Sequence, residues 1–210
     1  MKPLAFEAAD VGHRFGNRWV FRGVTGTFEA GGHGVIRGAN GSGKSTLGRI
    51  FTGALQASSG KVTWDGERRW DWRQRDDLVL HTLLMAPAAA LHPDLTIREA
   101  CAFHGRFRAW WPGFDPISAL RDAGLDAALD KPLRNLSSGM RQRVQLTVAL
   151  GTEAALVCLD EPCANLDAKG IGWYRELLAQ TRGRTTTLVC SNHRKEDHLE
   201  PSWVLDLGGA

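Results

Sequence analysis

The sequence predicts an α/β fold with a mainly parallel core sheet and a helical insertion between its early and late strands. Three observations predict it. Ala155–Leu159 and Thr186–Cys190 are continuous, β-rich apolar runs, as expected of strands buried on both faces of a parallel sheet. The first forty residues fall into short strand-like pieces punctuated by glycine. From Thr96 to Gly151 the pattern is mostly helical.

Taken in order, Leu4–Ala8, Val20–Phe21, Gly26–Glu29 and Gly34–Arg37 read as strands, with turn signals at Gly16-Asn17 and Gly31-Gly32. Ser45 to Thr52 reads as a helix, and Lys61–Trp64 as a strand ended by Asp65-Gly66. The helical stretch is broken at Pro112-Gly113, Asp115-Pro116 and Lys131-Pro132. A terminal strand falls near Val204–Leu207. No linker or internal repeat divides the chain, so it reads as one domain over residues 1–210, with a helical subdomain at about 88–150.

Composition narrows the function classes. The 210 residues carry a formal net charge of +3, 43% hydrophobic and 23% charged residues, which excludes disorder and argues for no polyanion partner. The longest stretch without a formal charge, Leu78 to Pro93, is too short and too interrupted to span a bilayer, and the first ten residues lack the apolar core of a secretory signal. Cys101, Cys158, Cys163 and Cys190 fit no zinc pattern or disulfide framework, which points to a reducing, cytosolic setting. The basic run Arg68, Arg69, Arg73 and Arg75 is interleaved with Asp71, Asp76 and Asp77 and reads as a solvated face rather than a nucleic-acid patch. Of the eight tryptophans, Trp64, Trp70 and Trp72 are expected to pack the N-terminal sheet. Trp110-Trp111 cannot both face one helix stripe, so either one is exposed to a partner or both pack beside the Pro112-Gly113 break. The histidines at 13, 33, 81, 92, 104 and 198 show no ligand spacing.

Gly38-Ala-Asn40-Gly41-Ser42-Gly43-Lys44-Ser45 matches G-x-x-x-x-G-K-[ST] between an expected strand and an expected helix. Glycines let the backbone turn so tightly that successive N–H groups point at phosphate oxygens, and the helix adds the positive end of its dipole. Lys44 is expected on the β and γ phosphates, Ser45 on Mg²⁺ and Thr46 on the α phosphate. Downstream, the apolar run Ala155–Leu159 ends in Asp160-Glu161. Asp160 stands where phosphate-loop folds place the acid that holds Mg²⁺ through its water shell, and Glu161 stands where a base can take a proton from the attacking water.

Leu136-Ser137-Ser138-Gly139-Met140, followed by Arg141-Gln142-Arg143-Val144, resembles the LSGGQ signature of the ATP-binding-cassette ATPases. It stands about a hundred residues after the phosphate loop and roughly twenty before Asp160, as in that family. The resemblance runs from Phe15 to the terminal strand. It implies a phosphate-loop NTPase fold with a small N-terminal antiparallel β subdomain and a helical insertion carrying the signature. It further implies that Phe15 stacks on adenine, that Asn165-Leu166-Asp167 faces an opposite subunit, and that His193 senses the γ phosphate. Two cassettes, identical or paralogous, would pair head to tail, with Ser137 and the Gly139 N–H of each completing the phosphate pocket of the other. The implied cofactors are ATP and Mg²⁺. The implied partners are separate transmembrane permease subunits that hold the cassette at the cytoplasmic face of the inner membrane, with no nucleic acid. The short chain is similar to the minimal cassettes of bacterial exporters, including haem exporters. A soluble cassette acting on nucleic acid or ribosomes, and a weakly hydrolysing regulatory module, are the alternative readings.

The sequence departs from the family pattern at several points. Ser138 and Met140 replace a glycine and the glutamine of the signature, and Cys163 and Ala164 stand where Thr and Ser are commoner. The glutamine expected upstream of Pro93–Glu99 is absent from Met85-Ala86-Pro87-Ala88, which removes one Mg²⁺ ligand.

Overall fold

The computed structural model describes residues 1–86 and 91–208. Its first hairpin explains why the early strands look short in sequence. Strand β1 (Ala5–Phe15) pairs antiparallel with β2 (Arg18–Phe28), and the register shifts between Ala8 and Val11, between Val11 and His13 and between His13 and Arg14. Each shift breaks the apolar–polar alternation without breaking the ladder. The expected Leu4–Ala8 strand therefore continues to Phe15, and the two separate pieces expected at Val20–Phe21 and Gly26–Glu29 are one strand.

The chain continues through β3 (His33–Arg37), α1 (Lys44–Phe51), β4 (Ser59–Asp65), β5 (Arg69–Trp70), α2 (Arg75–His81) and β6 (Thr82–Met85). A helical layer follows: α3 (Ile97–Gly105), α4 (Pro116–Asp122) and α5 (Ser138–Gly151). Then come β7 (Leu156–Asp160), α6 (Ala168–Ala179), β8 (Thr186–Ser191) and β9 (Trp203–Asp206). One sheet is antiparallel in the order β2-β1-β4-β5, and the other is parallel in the order β6-β7-β8-β3-β9. Strands β7 and β8 are buried at every position, as their unbroken apolar runs predict.

Helix starts in the inserted layer follow local chemistry. Thr96 and Glu99 form a reciprocal capping box for α3, Asp115 caps α4 with Pro116 in its first turn, and the Ser137 hydroxyl caps α5. Three clusters hold the molecule together. Phe6, Phe28 and Phe51 stack where the antiparallel sheet meets α1, with ring centroids 4.3 and 4.8 Å from Phe6. Leu146, Leu159, Tyr174 and Val189 fill the other face of the parallel sheet, and Ile97, Leu120, Leu133 and Val144 join the helical layer. Each fully buried large side chain contributes about 1.5–3 kcal/mol. Exposed pairs such as Arg98–Asp130 and Arg121–Asp126 contribute about 0–1 kcal/mol each, so packing decides the fold.

Trp64 and Trp70 are core residues, as expected, and Trp64 donates its indole N–H to the Phe51 carbonyl at 2.7 Å, while Trp72 is half-buried. Trp110 and Trp111 both pack inward, since the Trp111 backbone N–H bonds the Gly151 carbonyl at 2.9 Å and Trp110 lies 6.0 Å from the Phe114 ring. Neither tryptophan is the exposed aromatic. That position falls to Phe103 and Phe107, one turn apart at the end of α3, 56% and 72% exposed with centroids 5.0 Å apart. Among the described residues no helix is long and apolar enough to cross a membrane, and all four cysteines are free and buried. Of the segment expected to carry a glutamine, Met85 ends β6 and Ala86 is buried, while Pro87 and Ala88 lie outside the described residues.

Candidate active site

The carboxyl ends of β3, β7 and β8 lie side by side in the parallel sheet, so the segments that leave them meet at one edge. From β3 the chain turns through Gly38–Gly43 into α1. Gly43 sits at the helix start with φ of 98°, and a Cβ there would lie 2.6 Å from Val20 and 2.8 Å from Phe21, so only glycine fits. Lys44 is 5% exposed, and its ammonium donates to the Gly38 carbonyl at 2.9 Å and the Ala39 carbonyl at 3.0 Å. The Ser42 hydroxyl is buried in the loop without a partner. A buried ammonium and an unpaired hydroxyl in a glycine-rich turn at a helix start form a site for an anion.

This loop forms the floor of an open cleft of about 1330 Å³. The cleft is lined by Phe15, Trp19, Arg22, the residues from Ala39 to Thr46, and Glu161. Phe15 is 59% exposed, with its ring centroid 4.8 Å from that of His13 in a T-shaped pair.

Asp160 ends β7 and is 7% exposed, and among the described residues its carboxylate receives no hydrogen bond. Glu161 follows at φ of 48°, its backbone N–H bonded to the Cys190 carbonyl at 3.0 Å. His193 stands beyond β8 at φ of 59° and is exposed. Left-handed backbone at a non-glycine residue costs about 1–3 kcal/mol and persists only where neighbours enforce it. Among the described residues three non-glycines have this conformation, Asp10, Glu161 and His193, and two of those are the expected base and sensor.

Sequence reasoning assigned no role to Gln142. Its amide donates to the Pro162 carbonyl at 2.8 Å and contacts that of Glu161 at 3.4 Å, pinning α5 to the exit from β7. The available signal was a glutamine on the buried face of α5, where it is 7% exposed. Cys190 and Cys163 are inert thiols. The hydrogen bond between Cys190 and Cys158 and then burial push the Cys190 pKa well up, and burial followed by the Asp197 charge raises that of Cys163.

Ser137 and Gly139 lie elsewhere. They start α5 on the exposed side, outside the cleft, where the Ser137 hydroxyl accepts the Met140 N–H at 3.2 Å. A Cβ on Gly139 would sit 2.6 Å from the Asn165 carbonyl, which explains the glycine without any ligand. Asp167, at the end of the same loop, caps α6 through Gly170 and pairs with Arg143 at 2.6 Å. The Gly170 N–H and then Arg143 hold its carboxyl below the usual range. The structure thus gathers Phe15, Asn40, Gly41, Ser42, Gly43, Lys44, Ser45, Thr46 and Glu161 around one cleft, with Gly38 behind the loop. Asp160 and His193 stand at the neighbouring strand ends outside the cleft wall, and Ser137 and Gly139 lie on a separate face.

The profile of the ABC transporter family matches residues 21–164. The chain is 31% identical over 198 residues to the cytochrome c biogenesis ATP-binding export protein CcmA 2 of Cupriavidus metallidurans, covering 93% of this chain and 92% of that protein. It is 33% identical over 189 residues to the protein CcmA of Salmonella typhi, covering 90% and 89%. Among solved structures it is similar to an ATP-binding cassette in a dimeric post-hydrolysis state bound to ADP and Pi, with TM-score 0.73, 22% identity, and coverage of 90% and 88%. It is also similar to a bacterial Atm1-family ABC exporter with ATP bound, with TM-score 0.78, 20% identity, and coverage of 98% of this chain and 37% of that one. At these identities the two structures show the fold.

Proposed function

The chain belongs to the ABC transporter family as its ATP-binding, ATP-hydrolysing subunit, and from that premise we propose which residues carry the reaction and what the subunit drives. The observation that carries the proposal is the single cleft shared by Phe15, the phosphate loop and Glu161. Adenine stacks on Phe15. The backbone from Gly38 to Thr46 receives the phosphates, and Lys44 exchanges the Gly38 and Ala39 carbonyls for the β and γ oxygens. Glu161 takes the proton of the attacking water, and His193 bridges the γ phosphate to that base.

The donor set fits Mg²⁺. A hard cation with few protein ligands, retained waters and phosphate oxygens is the usual magnesium arrangement. Ser45 would be the protein ligand and Asp160, with its unpaired carboxylate, the acceptor for the metal's water shell; the ion would offset charge on the β and γ phosphates.

The signature residues Ser137 and Gly139 are assigned to the cleft of a second cassette, paired head to tail. The exposure of Ser137, and the absence of both residues from the chain's own cleft, support this. We treat residues 1–210 as one domain with a helical subdomain at about 88–150. This subdomain would dock a transmembrane permease at the cytoplasmic face of the inner membrane. The exposed Phe103–Phe107 pair supports that surface. The substrate class is an export step of the kind named for the cytochrome c biogenesis relatives.

The test is ATP turnover in vesicles that contain the purified permease, compared with the cassette alone. Turnover stimulated by the permease, and reduced when Phe103 and Phe107 are both changed to Ala, supports the proposal. A cassette without ATPase activity in either setting overturns it.

A further inference from the structure

Asp197 lies in the short turn after β8, four residues beyond His193, and its side chain is wholly buried. Its two carboxylate oxygens serve two different loops. Oδ2 accepts the Ser191 hydroxyl at 2.6 Å, and Oδ1 accepts the Cys163 backbone N–H at 3.2 Å. The Tyr174 hydroxyl donates to the Asp197 carbonyl at 2.6 Å, so the backbone at this point is also fixed. Ser191 is the last residue of β8, and its Oγ accepts the Arg194 N–H at 3.2 Å. The four residues 191–194 therefore close around one hydroxyl, with His193 inside the turn at its left-handed φ. On the other side, Cys163 stands two residues after Glu161, the other left-handed residue of the site.

Resting on the assignments above, we propose that Asp197 is a positioning residue that holds His193 in register with Glu161, using the Cys163 N–H as its fixed post. Two arguments carry this. A buried carboxylate is costly to keep, and among the described residues none of the ion pairs involves Asp197. Its partners are instead one hydroxyl and one backbone N–H, drawn from the two strained turns that flank the chemistry. A left-handed turn at a non-glycine residue also needs surroundings that over-determine it, and Asp197 supplies that tie through Ser191. The role is indirect: Asp197 acts on the reaction only through the place it gives His193.

Steady-state ATPase measurements on the full chain test this. The variants are Asp197→Ala, Asp197→Asn and Ser191→Ala, each made alone and with His193→Ala. We expect Asp197→Ala and Ser191→Ala to lower kcat about 10- to 100-fold with the KM for ATP within about twofold, as misplacement of a catalytic group does. Asp197→Asn should recover most of the loss. Its amide oxygen can accept the Cys163 N–H, and its NH₂ can donate to Ser191, whose hydroxyl then turns to the Arg194 carbonyl. In the His193→Ala background, Asp197→Ala and Ser191→Ala should lower the residual kcat no further. Equal fold losses in both backgrounds, or KM rising as kcat falls, would overturn the positioning role. Should Asp197→Ala not fold, Ser191→Ala decides by the same comparison. Wild-type turnover in His193→Ala would overturn the assignment of His193 and this proposal together, which separates that failure from the first.

Discussion

The phosphate loop and the signature turn are both helix starts, assigned above to the same anion, yet the chain treats them differently. The first is enclosed: Gly43 is wedged against Val20 and Phe21, and Lys44 is buried with two carbonyl partners. The second is open: Ser137 and Ser138 are exposed, and among the described residues only the Met140 N–H engages the Ser137 hydroxyl. Both stand on helices capped without a nearby acid, since neither α1 nor α5 has an acidic residue in its first turn. The difference lies in what surrounds them. One helix start is preorganised by its own chain, and on the proposal above the other would be finished by a second body.

Breaking the enclosed half should have the largest effect. Lys44→Ala removes the buried ammonium and is expected to lower turnover by at least about 1000-fold and to abolish tight ATP binding, read by a nucleotide titration and a phosphate-release assay. Unchanged binding and turnover would remove the loop from the site. Next, Glu161→Gln keeps the shape of the side chain and loses the base. Turnover should fall about 100- to 10,000-fold while ATP affinity holds, and an ATP-bound dimer should accumulate on a sizing column. A variant that stays monomeric with ATP would sever the link between the two halves.

The open half should respond more mildly and only in the pair. Gly139→Ala places a methyl 2.6 Å from the Asn165 carbonyl and should cut turnover about tenfold without changing ATP affinity of the monomer. Weakened binding by the monomer would show that the two faces are not separable.

The smallest effect lies away from both halves. Burial, and then the charge of Arg182, lower the His33 pKa from 6.5 to about 4. The unfolded chain therefore binds a proton that the folded chain refuses between about pH 6.5 and 4, so stability is full above that window and falls as the pH drops through it. A denaturant midpoint followed from pH 7 to 4.5 should decline less steeply in His33→Leu than in the wild type, by on the order of 2 kcal/mol at the acid end. Identical slopes would show that His33 carries no such linkage.

Legibility from sequence followed the same division. The loop Gly38–Ser45 and the acids at the end of β7 are local patterns, and local patterns can be read along the chain. Strand β6 could not, because it is a four-residue edge strand whose Leu83 and Leu84 are only half-buried. Nor could the bulges in β1 and β2, since a register shift erases the periodicity by which a strand is recognised. Of the two places expected for Trp110 and Trp111, the structure has the packed one: α3 ends at Gly105, Trp110 bridges to Thr152 and Trp111 is buried, so the adjacent rings do not have to share a helix stripe. Gln142 and Asp197 were silent for a different reason. Their partners, Pro162 and Cys163, lie 20 and 34 residues away in the chain, and only the sheet order brings them close.

That sheet order also sets a schedule for biosynthesis. Strand β3, which launches the phosphate loop, lies between β8 and β9, whose residues follow it by roughly 150 positions. At about 5–20 residues per second, the ribosome leaves β3 without either lateral neighbour for roughly 8–30 seconds. During that interval the first hairpin can form from local pairing, while the loop's founding strand waits for the last strands to emerge. The nucleotide cradle is thus among the earliest segments to be synthesised and among the last to be assembled.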